Sequence, residues 1–230
     1  MAERRIGWAR QAWLVLVKDL RIELATREIV TTSGFFAVLV SVLGSMAFYF
    51  DPNTATQIAP GIIWIAVAFS SILALSRSWQ RERENDALSG LLVMPLDRSA
   101  IFVGKALGIL LFVLTIELLS VLVTALLLSI PLERVWLGLA VLSLCATPGV
   151  AAAGTLFGAM TVRTNARDLV LASVLFPLLA PTLVTATVGT RDLFGGAPLG
   201  ALGDYMMLMG VFAVLFIVGG IGMFGALIEG

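Results

Sequence analysis

The sequence predicts an all-α integral membrane protein. It has six transmembrane helices preceded by an N-terminal amphipathic interfacial helix, with both termini cytoplasmic. Three observations lead there. Of 230 residues, 59% are hydrophobic and 13% charged, against about 25% charged in a soluble domain. The apolar residues form six continuous runs, each close to or above the ~20 residues that span a bilayer. Those runs do not alternate as the strands of an outer-membrane barrel do. Six spans use about 120 residues and leave no room for a sizeable soluble domain. Composition therefore excludes a soluble enzyme and a disordered chain.

Taken in order, residues 1–31 form an elbow segment. Its apolar stretch Ala12–Val17 is too short for a cleavable signal, and Lys18, Asp19 and Arg21 follow at once. Ile6, Trp13, Val17, Leu20 and Leu24 recur at helical spacing, with Arg10, Lys18 and Arg21 largely off that stripe. This fits a helix lying on the inner leaflet or one packed on the bundle. The spans follow at about Thr32–Phe50, Ile58–Leu75, Ile101–Ile130, Val135–Val162, Leu169–Val188 and Tyr205–Ile228. The connections after the first, third and fifth spans are short. The longest, Gly189–Gly203, is rich in glycine and is expected to fold against the bundle.

Charge sets the orientation. Thirteen of the fifteen Lys and Arg residues fall in the N-terminal segment or in the loops after spans two and four. Only Arg134 and Arg191 lie on the other side. The excess of basic residues marks the cytoplasmic face, and an even number of spans returns the C-terminus to it. Net charge is zero, so nothing attracts nucleic acid. The chain has one cysteine, Cys145, and no histidine. An intramolecular disulfide, Ser/His catalysis and histidine ligation of metal or haem are excluded.

The loop at 76–100 is the most informative segment. Trp79–Asp86 mixes both charge signs densely. Leu88, Leu91 and Leu92 then share one helical face. Pro95 stops that helix, and Asp97 is placed to cap the next span. A helix with an apolar ridge and charged flanks suits a groove on a partner. The plainer reading packs the leucines under the bundle.

Arg81–Gly90 (RERENDALSG), Leu91-Leu92, Met94-Pro95, Asp97-Arg98-Ser99 and Gly104-Lys105 resemble the inner loop of ABC-2 exporter permeases. With Lys18-Asp19-Leu20, six spans and Arg163–Asp168 (RTNARD), almost the whole chain resembles the haem exporter protein B (CcmB) family of cytochrome c maturation. The resemblance implies a single transmembrane permease domain, 1–230, in a bacterial inner membrane. It implies two permease copies with two copies of a CcmA-like ATPase, CcmC- and CcmD-like haem-handling proteins and a CcmE-like haem chaperone. It makes Trp79, Arg81, Glu82, Arg83, Glu84, Asp86, Leu88, Leu91 and Leu92 the element that couples to the ATPase. The chain lacks a P-loop: Gly104-Lys105 is followed by Ala106, and Ser99 stands where the first glycine is required. ATP is expected on the partner and haem on partner proteins, with no cofactor held here and no catalysis by this chain. Alternatives are an exporter of lipid, glycan or drug with the same architecture, and a non-transport scaffold.

Within the spans, Glu117 lies twelve residues past Lys105, about 18 Å deeper. It lines a cavity or subunit seam, or is held by Ser120, Thr124 or a neighbouring span. Pro148-Gly149, Pro177 and Pro181 are hinges or static bends. Gly154/Gly158 and Gly219/Gly222/Gly225 allow close helix approach, within the chain or between copies. Trp64 and Trp136 are expected as interfacial anchors.

Overall fold

A computed structural model of the chain describes residues 6–48, 52–84, 90, 93–161 and 167–229. It consists of α1 (Trp8–Thr26), α2 (Glu28–Ala47), α3 (Pro52–Glu84), α4 (Arg98–Leu128), α5 (Leu132–Thr161), α6 (Arg167–Phe194), a 3-10 turn (Leu199–Leu202) and α7 (Gly203–Glu229). No strand occurs among the described residues. Six helices, α2 to α7, are long and apolar enough to cross a membrane. The chain is a multi-pass membrane protein.

α3, α4 and α5 form the centre. α2 lies against α3 and α4, α6 against α3 and α5, and α7 against α5 and α4. The peripheral α2 shows why. Ile29, Ser33, Ala37, Ser41 and Ser45 recur every fourth residue and are buried. Phe35, Leu39, Leu43 and Met46 point outward. Small residues let backbones approach, and large apolar ones suit lipid. Ser41 and Ser120 share a hydrogen bond of 3.0 Å between α2 and α4.

The glycines divide by function. A Cβ on Gly154 would overlap Leu75, and one on Gly158 would overlap the Trp79 indole. These two positions, one turn apart on α5, receive two side chains one turn apart on α3, so this pair serves packing within the chain. On α7 the close approach is at Gly220, whose missing side chain admits the Phe102 ring, whereas Gly219 and Gly222 face open space. Of the three glycines expected to form the close face, only Gly225 has a neighbour, the Arg98 side chain, because spacing does not reveal which face meets another helix.

α3 runs unbroken for 33 residues, about 50 Å, against a hydrocarbon core of ~30 Å. Much of the segment expected as a loop is therefore helix. Ser76–Glu84 continues α3, and Arg98 already begins α4. Gln, Arg and Glu are good helix formers, so the charges end the apolar run without ending the helix. Asp97 occupies the N-cap position of α4 but makes no side-chain capping bond. Its backbone carbonyl accepts from Ala100 and Ile101, and its N–H donates to Gln11 Oε1 at 2.8 Å.

Candidate functional site

The charges of α1, α3 and α4 meet at one end of the bundle. α1 packs on α4 through Gln11, Ala12, Val15 and Leu16. The approach is close: a Cβ on Gly104 would stand 2.5 Å from the Ala12 carbonyl oxygen and 2.7 Å from Val15 Cβ. Trp8 Nε1 donates to Ser99 Oγ at 2.9 Å. The stripe read from the sequence lies mainly on the outer face, with Trp13 61% and Leu24 75% exposed. α1 thus both packs on the bundle and presents an apolar surface outward, as an interfacial helix does.

The turn from α1 to α2 is one residue, Arg27, in the left-handed region (φ 54°). Glu23 fixes it. The buried Glu23 carboxylate accepts the Val30 N–H through Oε1 at 2.8 Å, satisfying one orphan donor of α2's first turn. Its Oε2 pairs with Arg81 at 3.0 Å. Arg81 also reaches Thr26 Oγ1 at 2.9 Å and Glu28 at 3.4 Å. A single arginine of α3 thus holds both sides of the elbow.

One turn inward lies a closed ring of four charges. Glu82 Oε1 meets Lys18 Nζ at 2.7 Å and Lys105 Nζ at 2.8 Å. Asp19 closes it, 3.2 Å from each ammonium. Side-chain exposure is 2% for Lys105 and 5% for Glu82. Such burial is tolerated only because each charge has partners and the set is neutral. Lys105 also sits over the Trp79 ring, 5.2 Å from its centroid, within cation–π range. Burial pushes the Lys18 ammonium down, but the Asp19 and Glu82 carboxylates outweigh it and hold its pKa above the ordinary lysine value.

The residues expected to couple to a partner therefore divide. Trp79, Arg81 and Glu82 are engaged within the chain, on Gly158, the elbow and the ring. Arg83 and Glu84 continue the backbone of α3. Their side chains, with Asp86, Leu88, Leu91 and Leu92, lie outside the described residues. Sequence reasoning missed Lys18, Asp19, Glu23 and Lys105 as partners, since they lie 23 to 86 positions from the groups they bind on other helices. The available signal was Lys105 itself, a lysine set inside an otherwise apolar run.

Deeper in the bundle Glu117, 2% exposed, accepts hydrogen bonds from Ser143 Oγ and from Thr147 Oγ1, the latter at 2.9 Å. Its partners are on the neighbouring α5. Ser120 turns instead to Ser41, and Thr124 Oγ1 has no hydrogen-bond partner. α5 is continuous through Pro148 and Gly149, and a Cβ on Gly149 would stand 3.4 Å from the Ala213 backbone. Pro177 and Pro181 sit on the exposed side of a continuous α6. Trp64 is no interfacial anchor. It is buried, and its indole N–H donates to Thr190 Oγ1 at 2.9 Å, tying α3 to α6. Trp136 is 62% exposed. Among the described residues no three His, Cys, Asp or Glu side chains gather as a metal site requires.

Six apolar spans with an elbow helix clamped to their charged end define a multi-pass helical membrane protein. The chain belongs to the CcmB protein family, matched over residues 10–227. It is 28% identical over 209 residues to heme exporter protein B of Haemophilus influenzae, covering 87% of this chain and 93% of the relative. With heme exporter protein B of Paracoccus denitrificans it shares 32% over 195 residues, 82% and 86% of the two chains. The match to the Escherichia coli K12 protein of the same name is 28% over 96 residues, 42% of this chain. There the chain spans 44% of the relative's length.

Proposed function

We propose that the chain is the permease subunit of an ABC-type complex in cytochrome c biogenesis. It sits in a bacterial inner membrane with its charged end in the cytoplasm. A separate CcmA-like ATPase supplies ATP hydrolysis, and CcmC-, CcmD- and CcmE-like proteins handle haem. The family match over residues 10–227 carries this reading.

The geometry supports an actuator in preference to a haem channel. The chain has no histidine to hold haem iron. The interior polar groups Glu117, Ser143 and Thr147 are turned toward each other. At the charged end, α1, α3 and α4 are joined by ion pairs, so a push on the end of α3 moves all three together. Closure of an ATPase dimer would deliver that push at Arg83–Leu92 and shift the spans as rigid elements.

The test is a mild-detergent pull-down of the tagged chain from its native membrane, identified by mass spectrometry. Recovery of a P-loop ATPase with haem-handling maturation proteins supports the proposal. An ATPase alone points to an exporter of other cargo. An intact complex containing no ATPase overturns the ABC assignment.

A further inference from the structure

α1 sorts its charges to opposite sides. Both of its carboxylates turn inward, Asp19 to Lys18 and Lys105, and Glu23 to Arg81. Arg10 and Arg21 stay outside. Both are exposed, and neither side chain makes a hydrogen bond or ion pair among the described residues. The Arg27 side chain at the elbow is in the same state, while its neighbour Glu28 is taken by Arg77 at 3.5 Å and Arg81 at 3.4 Å. Exposed Leu14 widens the outer face of α1 beyond Trp13 and Leu24. At helical spacing Arg10 and Arg21 then fall among these apolar residues. The outer face is therefore apolar and cationic, with no carboxylate of α1 on it, in a chain whose net charge is zero.

We infer that this face docks on anionic phospholipid, with Arg10 and Arg21 each holding a lipid phosphate. The two arginines lie eleven residues apart, about 17 Å along the helix, so they meet separate headgroups. Trp13, Leu14 and Leu24 enter the acyl boundary, and the arginine stems lie along it with their guanidinium groups at phosphate level. The planar guanidinium fork matches two oxygens of a phosphate. Anionic lipid is favoured over zwitterionic lipid for a stated reason. A choline headgroup brings its own cation beside the arginines, and the face has no carboxylate to receive it. Ion pairs to α3 and α4 hold α1 in place, so the lipid meets a fixed surface. The inference depends neither on the ABC assignment nor on what the bundle transports.

The experiment is native mass spectrometry of the full-length chain, delipidated in detergent and supplied with equimolar phosphatidylglycerol and phosphatidylcholine. One basic residue at an anionic surface strengthens attachment about fivefold. Arg10→Gln/Arg21→Gln should therefore cut the preference for phosphatidylglycerol by about thirtyfold. Both side chains are exposed and unpaired among the described residues, so thermal unfolding should stay within a few degrees of wild type. Arg134→Gln removes an exposed arginine at the start of α5, at the opposite end of the bundle, and should leave the preference intact. Equal retention of the two lipids, an unchanged preference in the double variant, or the same loss in Arg134→Gln would overturn the inference and leave α1 at the interface by apolar contact alone.

Discussion

Removing Lys105 from the ring is the sharpest test of the charged end. Lys105→Met keeps the length of the side chain and deletes its charge. Asp19 and Glu82 are left with Lys18 alone, and the set goes from neutral to minus one. Breaking a buried pair by removing one partner costs about 3–5 kcal/mol. Lys18 remains 2.7 Å from Glu82 and is 30% exposed, so the lower end applies, about 3 kcal/mol. In a chain of this size 1 kcal/mol is about 2–4 °C of Tm, which puts the loss at about 6–12 °C. Glu82→Gln leaves the opposite imbalance, Lys18 and Lys105 against Asp19, and should cost a similar amount. The double variant Lys105→Met/Glu82→Gln retains the balanced Lys18–Asp19 pair. It should recover about 1–3 kcal/mol relative to the sum of the singles. The assay is thermal unfolding of all four proteins in one detergent. Additive singles, with coupling below about 0.5 kcal/mol, would refute the ring as a unit.

The elbow predicts a charge swap. Arg81→Glu should loosen α1 from α2 by setting like charges against Glu23 and Glu28, and Glu23→Arg in the same chain should restore part of the order, read by spin labels across the turn. Gly158→Ala forces a Cβ into the Trp79 indole and should cost about 1–3 kcal/mol. Gly222→Ala meets open space and should leave Tm within the effect of about 1 kcal/mol. Trp64→Phe removes the bond to Thr190 and should lower stability by about 0.5–1.5 kcal/mol, measured by the same unfolding. The raised Lys18 pKa gives stability that is full below the ordinary lysine value and is lost as pH rises through the raised folded value. Lys18→Met should flatten the alkaline limb of the Tm–pH profile. Membrane orientation is checked by single cysteines in a Cys145→Ala background: Gly200→Cys should label from outside intact cells and Arg10→Cys should not.

The number and approximate bounds of the spans were legible, because burial in lipid is written as run length. The helical extension at Ser76–Glu84 was not, since hydropathy measures solvent and not backbone conformation. On α1, the eye goes to Trp13 and Leu24, which are the residues a helix offers to lipid. The face that meets α4 is smaller and partly polar: Ala12, Val15, Leu16 and Gln11. It fits only because Gly104 removes the opposing side chain, a fact held 90 positions away in the chain. Glu117 stood out as an acid in an apolar run, but nothing in its own helix named Ser143 and Thr147. Pairings between helices carry no spacing rule, so the ring, the elbow clamp and the Trp64 tie had to be seen in three dimensions.

The two notches on α5 determine how the bundle is able to rearrange. α3 and α5 run the same way, and Leu75 and Trp79 seat in Gly154 and Gly158 like two teeth in two slots. Sliding α3 back by one turn, about 5.4 Å, would bring Trp79 to Gly154 but drive Leu75 onto Val150, which offers no slot. Intermediate positions fit neither tooth. The pair therefore has a single register, and α3 and α5 are bound to shift as one body.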